Sequence, residues 1–452
     1  MKKRVLSVLM SVVLAATAMV GCGSTDSASS TDTATETADV AEATEEVSSE
    51  DVIELEYWTW FPTEAQLEET IAAFEAENPN IKINMTVMES GTYRDKVVLA
   101  LSTGEEIDVI GVQPSAFAAS VEDYLVDLEE YMPTVLGDDW MGSYSQDMFD
   151  KGKDLTSGDA KFITILNSGS MFGFYNATLL EEIGCEVPTT IEEYKEVAEA
   201  LYEVYPDKLA GVFAGMEGWV IDEMLLTVLT QGGDYYNEVV YNGATMDSPE
   251  YVEAFRAFKQ FFDDGIFSMD VMDLDYGSAT EVFTNGDALV YYMGSWDATL
   301  ISSVLREQNG VGLEEVGIMA LPVAYEGGEL AVRAYLDCGL GIIEESEHKE
   351  AAAKFVQYLS SGDGVEILAK QFAGTPGISD FEMDASMLTS DIAVESWDTL
   401  LELMNAAPAD RNNLSAFAGA VEGPMVQSVI NGSVTPEEAA AGLQSGWDNG
   451  DY

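Results

Sequence analysis

The stretch that decides the fold is residues 53–87, IELEYWTWFPTEAQLEETIAAFEAENPNIKINMTV. Its first seven residues, 53–59, alternate apolar and polar side chains and predict a strand. A helix is predicted to begin at Thr63, where a Thr followed three residues later by Gln is typical of a capping box. Pro79 ends that helix, and alternating apolar residues then predict a second strand over 81–87.

The same alternation of strand and helix patterns continues along the chain. Apolar residues 107–112 predict a buried strand. Further helix starts are predicted at Thr190, Ser248, Ser346 and Thr435. This order predicts an α/β fold with a mainly parallel sheet covered by helices on both faces. About 400 residues follow Glu50, which is too many for one ordinary core and indicates two lobes.

The N-terminus has the features of an export signal. Basic residues 2–4 precede an apolar run over 5–20, which is too short for a confident membrane span. We therefore predict a signal peptide at 1–21. Cys22 follows Gly21 and resembles the lipidated Cys of the bacterial lipobox, which implies tethering to the outer face of the bacterial cytoplasmic membrane. A plain secretory signal with an incidental Cys is the alternative.

Residues 22–50 have the composition of a tether. From Gly23 to Glu50 there is no aromatic residue and no Lys or Arg, only small and polar residues with scattered acids. Such a segment buries too little apolar surface to offset the entropy of ordering, and its like charges repel one another. We predict a disordered acidic spacer between the lipid and the folded body.

The charge and the cysteines narrow the functional classes. The chain has 82 Asp and Glu against 19 Lys and Arg, a net charge of −63, so nucleic acid is not an expected partner. Cys185 and Cys338 lie far apart with no neighbouring His, which argues against zinc and favours two buried free thiols over a disulfide. No Walker loop or dinucleotide fingerprint is present, and neither a metal nor a cofactor is expected.

Several sequence blocks, in order, resemble the family 1 extracellular solute-binding proteins of carbohydrate ABC importers, which are maltose-binding-protein-like. The blocks are residues 56–61, 74–83, 102–109, 174–190, 283–296 and 339–353. The resemblance implies a type II periplasmic-binding-protein-like fold, in which two discontinuous lobes are joined by hinge segments and close over a ligand. We assign 51–165 with about 323–370 to the N-terminal lobe and about 166–322 with 371–452 to the C-terminal lobe. Crossings between the lobes are expected near Leu166, Pro322 and Gln371.

Candidate ligand contacts are aromatic and polar residues at strand ends and loop edges. A sugar offers apolar C–H faces to aromatic rings, and its hydroxyl groups pair with carboxylates and amides. Three candidates flank the end of the first predicted strand: Trp60, Phe61 and Glu64. The resemblance implies that Trp296 stacks on the ligand with Asp297 beside it, and that Trp219 is ligand-facing, although core packing stays open for Trp219. The remaining candidates are Tyr93, Gln113, Tyr335, Asp337 and Phe417.

The expected function is binding without bond breaking. A monomeric, membrane-tethered protein captures a carbohydrate, an oligosaccharide in particular, and delivers it to the permease of an ABC importer. An acidic, aromatic cleft also suits a polyamine or another cation. A secreted carbohydrate-active enzyme is a second alternative, but acids are so abundant that a carboxylate pair carries no information. The single histidine, His348, lies at a solvated helix start, which is a poor place for a catalytic base.

Overall fold

The computed structural model describes residues 52–144, 146–372, 375–376, 383–407 and 417–450. The predicted signal peptide (1–21), the lipidation site Cys22 and the tether (22–50) lie outside the described residues. Within those described ranges, no helix combines the length and the apolar character that a membrane crossing requires.

The described strands and helices alternate along much of the chain. The strands are β1 Ile53–Thr59, β2 Ile81–Val87, β3 Val109–Val112, β4 Ile163–Ser170, β5 Phe172–Asn176, β6 Leu209–Val212, β7 Ala288–Met293, β8 Val316–Ala320, β9 Arg333–Ile342 and β10 Thr375–Pro376. The helices are α1 Glu64–Glu77, α2 Ser90–Thr103, α3 Ala116–Val121, α4 Leu128–Leu136, α5 Gln146–Asp154, α6 Ala177–Glu182, α7 Ile191–Val204, α8 Gly218–Gln231, α9 Tyr235–Asn242, α10 Pro249–Asp263, α11 Tyr276–Thr284, α12 Ser303–Gln308, α13 Lys349–Ser361, α14 Asp363–Phe372, α15 Asp391–Ala406, α16 Gly423–Ile430 and α17 Pro436–Asn449.

The opening β-α-β unit has the predicted local structure. Thr63 caps α1 and forms the capping box with Gln66, since each side chain accepts a hydrogen bond from the backbone of the other. Leu67 and Phe74 bury the apolar face of this helix. The predicted helix start at Thr190 is also confirmed, because Thr190 caps α7 in the same way.

The larger sheet has the strand order β10-β4-β9-β3-β1-β2. Strand β1 pairs in parallel with β2 and β3, whereas β9 is antiparallel to both β3 and β4. The prediction of a mainly parallel sheet is therefore wrong: the sheet is mixed. Strand β9 returns the chain from the smaller sheet and lies beside β4, by which the chain leaves, so these two strands run in opposite directions. Strand β10 is also antiparallel to β4.

Three hydrophobic cores surround the two sheets. The first core contains Leu55 and Tyr57, from one face of the larger sheet. The second core contains Ile110 and Val112, from the opposite face. The smaller sheet has the order β6-β7-β5-β8, and the third core is built around it from residues such as Phe172. The chain thus folds into two α/β lobes, each with its own sheet and its own buried interior.

The two strands that connect the sheets remain paired up to the lobe boundary. The last register pair of β4 and β9 joins Ser170 to Arg333. The next residue of one strand, Met171, and the preceding residue of the other, Val332, are fully buried in the third core. The chain therefore passes between the sheets at these two adjacent points.

The structure describes the surroundings of two of the predicted crossing points. Leu166 lies inside β4, paired with Asp337, and the segment after Pro322 packs on the third core before β9 begins. The apolar pattern of the sequence could not locate the crossings, because the strand residues on both sides of each crossing are equally buried. The third crossing, near Gln371, and the assignment of 51–165 with 323–370 and 166–322 with 371–452 to the two lobes stay predictions.

The two cysteines of the described body are free thiols. Cys338 is buried in β9, as predicted, and the alternative of a disulfide with Cys185 is wrong. Cys185 is only half-buried, because it lies in the loop after α6 rather than in a strand.

Candidate functional site

One edge of the larger sheet gathers several of the predicted site residues. Trp60 and Phe61 follow β1, Gln113 follows β3, and Asp337 lies in the early part of β9. Because β9 runs antiparallel to β3, its first residues extend past the carboxyl ends of β1 and β3. The topology therefore brings these residues to the same edge, where ligands bind in open α/β sheets.

Trp60 is half-buried and supported from beneath by Tyr93. The two rings are 5.3 Å apart, centroid to centroid, and Trp60 packs against both the first and the second core. The Tyr93 hydroxyl lies 2.7 Å from the carbonyl oxygen of Gly111 and 3.0 Å from that of Trp58. Tyr93 is fully buried, so it positions Trp60, and its predicted contact with a ligand gains no support.

The polar residues at this edge already have partners. Arg94 donates a hydrogen bond from Nη1 to Oε1 of Gln113 at 2.9 Å. Asp337 is mostly buried, and its Oδ1 accepts the backbone N–H of Cys338 at 2.9 Å. Tyr335 is also buried, while Glu64 is exposed in the first turn of α1. Gln113 and Asp337 are thus held in fixed orientations, which is what selective recognition of hydroxyl groups requires.

Trp296 contacts the cores of both lobes. It lies in the 3₁₀ segment Ser295–Ile301 directly after β7, and it is half-buried. Its side chain packs against the third core and also against the first core, the same core that Trp60 and Phe61 contact. Trp219, in the first turn of α8, is also half-buried and places its ring 5.9 Å from that of Trp296 at an angle of 51°. The two indoles form an aromatic pair where the lobes meet.

Asp297 is held by two tyrosines that the sequence did not single out. The Tyr276 hydroxyl donates to Oδ1 at 2.7 Å, and the Tyr291 hydroxyl donates to Oδ2 at 2.9 Å. Burial raises the pKa of Asp297 to about 6, and the two hydroxyl donors oppose that rise. Tyr276 is partly exposed, so it extends the polar and aromatic surface beside Trp296.

Phe417 lies apart from this surface. It is fully buried in the third core, and its ring meets that of Trp447 edge-on at 5.5 Å. This position gives no support to the predicted contact with a ligand. The segment that it begins packs beside α8, since a Cβ on Gly218 would lie 2.9 Å from the Cα of Gly419.

The arrangement favours binding of an uncharged solute. Half-exposed indole and phenol rings lie beside carboxylate and amide groups that are already oriented by hydrogen bonds. In the part of the chain that the structure describes, no group of three or more His, Cys, Asp or Glu side chains is placed to hold a metal ion.

A two-lobed α/β protein with aromatic residues at the meeting of its lobes is a binding protein of the kind that closes over a solute. The family model described as "Bacterial extracellular solute-binding protein" matches residues 60–366. The chain belongs to this family, and the fold and family predictions are confirmed.

Similar proteins agree with this assignment. The "Multiple sugar-binding protein" of Streptococcus mutans is 25% identical over 334 residues, which are 71% of this chain and 74% of that protein. An ABC substrate-binding protein from Listeria monocytogenes, solved in complex with cycloalternan, superposes with a TM-score of 0.72 at 20% identity, covering 89% of this chain and 100% of the other. Maltose-bound MalE3 of T. maritima gives a TM-score of 0.71 at 21% identity, covering 88% and 99%.

Proposed function

We propose that this solute-binding protein captures a neutral oligosaccharide between its lobes and delivers it, unmodified, to the permease of an ABC importer. It does so as a monomer, anchored by lipid at Cys22 to the outer face of the cytoplasmic membrane. The observation that carries the proposal is the position of Trp296, whose ring contacts the cores of both lobes. A ligand stacked on that ring touches both lobes and therefore favours their closed arrangement.

The chemistry of the surrounding residues supports a sugar. The paired rings of Trp219 and Trp296 offer flat apolar area to C–H faces, and Asp297 and Gln113 offer oriented acceptors to hydroxyl groups. The similar proteins also support a sugar ligand, because one is named for binding multiple sugars and two were solved with cycloalternan or maltose. The polyamine alternative has no comparable support from these relatives.

A thermal-shift screen tests the proposed function. The full chain, purified in detergent, is heated with maltose, maltotriose, raffinose, spermidine or an amino acid mixture. A ligand that binds only the folded state raises the melting temperature, and the rise grows with the ratio of ligand concentration to Kd. We expect a rise with one or more sugars, and unchanged sugar after incubation. A rise with spermidine alone would overturn the proposal, and sugar breakdown would restore the enzyme alternative.

Gly294→Ala is expected to weaken sugar binding about tenfold, which corresponds to roughly 1.4 kcal/mol. A Cβ at Gly294 would lie 2.2–2.4 Å from atoms of the Trp296 ring, so the indole must turn away from its present position. Isothermal titration measures the affinity for the sugar found in the screen. The matched control is Gly312→Ala, where nothing lies within 4 Å of the added methyl group. Equal affinities in the two variants would contradict this placement of Trp296.

Sugar affinity is expected to fall as the pH drops through about 6, the pKa of Asp297. A ligand hydroxyl that donates to Asp297 favours the ionised carboxylate. The complex therefore binds a proton at Asp297 less readily than the free protein does. One pH unit below the pKa, the affinity is expected to be about tenfold lower than at neutral pH. In Asp297→Asn this pH dependence should disappear, whereas Asp264→Asn, in a partly buried ion pair with Lys195, should retain it. Persistence of the full pH dependence in Asp297→Asn would contradict the assignment.

A further inference from the structure

A buried carboxylate joins the two crossing strands to the lobe that follows them. The Ser170 hydroxyl donates to Oε2 of Glu223 at 2.7 Å, and Nε of Arg333 donates to the same oxygen at 3.2 Å. Ser170 and Arg333 are the final register pair of β4 and β9, and Glu223 lies on α8 of the other lobe. All three side chains are at most 1% exposed, so one acid in the second lobe binds both connections.

The surroundings of Glu223 are unusually rich in charge for an interior. The guanidinium carbon of Arg333 lies 4.4 Å from the centre of the Tyr236 ring. The carboxyl groups of Asp222 and Glu422 are buried in the same cluster, and burial together with Asp222 raises the pKa of Glu422 well above its ordinary value. A polar cluster of this kind is costly to bury, and it fixes one arrangement of the elements that supply it.

Helix α8 transmits that arrangement to the aromatic pair. Trp219 lies four residues before Glu223, so the two side chains share one face of the helix, one turn apart. The ring of Trp219 is 5.9 Å from that of Trp296. Ser295, next to Trp296, accepts the backbone N–H of Gly169 in β4 at 3.0 Å, so the segment that carries Trp296 is also bonded to a crossing strand. The distance between the two indoles therefore depends on where α8 is held against the crossing strands.

We propose that Glu223 is a positioning residue for ligand binding, which ties α8 to both crossing strands and so holds Trp219 against Trp296. The ligand role rests on the proposed function, in which these two rings contact the sugar. Glu223 itself is too deeply buried to touch a ligand. Its loss is expected to change the separation of the two rings.

The test compares Glu223→Gln, which keeps the shape of the side chain and removes its charge, with Ser170→Ala, which removes one donor. The first readout needs no ligand: two indoles this close give a coupled circular dichroism signal, assigned by its loss in Trp219→Phe. The second readout is the affinity for the sugar that most raised the melting temperature. We expect Glu223→Gln to weaken the coupled signal and to lower the affinity about tenfold, equal to 1.4 kcal/mol, with a smaller change in Ser170→Ala.

Tyr194→Phe is the control for a purely structural effect. It removes a buried hydrogen bond in the same lobe, from the Tyr194 hydroxyl to the carbonyl oxygen of Ala210 at 2.9 Å, far along the chain from the crossings. A lower melting temperature in Glu223→Gln with an unchanged coupled signal would overturn the proposal. A weakened signal with unchanged sugar affinity would overturn the role in binding. If no sugar binds the wild-type protein, the proposed function fails, and the coupled signal alone still decides whether Glu223 positions the rings.

Discussion

Trp296→Ala is expected to lower the affinity for the bound oligosaccharide about 100-fold, or roughly 3 kcal/mol. Trp296 is half-buried, packs against the cores of both lobes and faces Trp219 across 5.9 Å. Truncation removes the proposed stacking surface for the sugar and also the packing of this side chain against the cores of both lobes. Isothermal titration at neutral pH, with the sugar found in the thermal screen, measures the effect.

Trp140→Ala is the matched control for that result. Trp140 is a buried tryptophan whose ring meets those of Tyr144 and Phe149 edge-on within the first core. Its truncation is expected to cost about 3–5 kcal/mol of folding stability, because it leaves a cavity, while the sugar affinity of the folded fraction stays the same. The proposed site is wrong if Trp296→Ala binds the sugar as tightly as the wild-type protein does.

Arg333→Met is expected to lower the free energy of unfolding by about 3–5 kcal/mol, since it removes the cation from a buried cluster of acids. Arg333 is completely buried and donates to Glu223, with Asp222 and Glu422 nearby. Methionine fills much of the same volume but leaves the carboxylates without a positive neighbour. Denaturant unfolding followed by circular dichroism measures the loss of stability.

Arg256→Met provides the comparison at the surface. Arg256 pairs with Glu253 and Glu437, but about half of each side chain is exposed to solvent. Exposed ion pairs contribute about 0–1 kcal/mol, so this variant is expected to unfold almost like the wild-type protein. Similar losses in Arg333→Met and Arg256→Met would show that the buried cluster does not depend on its arginine.

Local signals in the sequence were sufficient to predict helices and strands, but not to predict how all of the strands pair. The capping box at Thr63 and the alternation in β1 are set by neighbouring residues, and both were predicted. The antiparallel direction of β9 is set by its pairing with β4, about 170 residues earlier in the chain, and no local pattern encodes it. For the same reason, the crossings at Ser170 and Arg333 emerged only from the register of the two strands.

The residues of the candidate site likewise include some that the sequence predicted and some that it did not. Trp60 was predicted because it follows a strand at a loop edge, and Trp296 because the family resemblance implied it. The structure brings both against the first core. Tyr276 and Glu223 were missed because their significance lies in partners distant in sequence, Asp297 and Arg333. Tyr93 was predicted as a ligand contact from its position, but its hydroxyl lies against backbone carbonyls behind Trp60, and sequence cannot distinguish these two orientations.

The paired passage of β4 and β9 between the sheets limits how the lobes can move. Two hydrogen-bonded strands form a narrow ribbon, and the bonds across it keep the strands at a constant separation. Such a ribbon flexes out of its own plane and twists far more easily than it shears sideways. We therefore expect closure of the lobes to bend and twist this ribbon rather than to slide its two strands past each other.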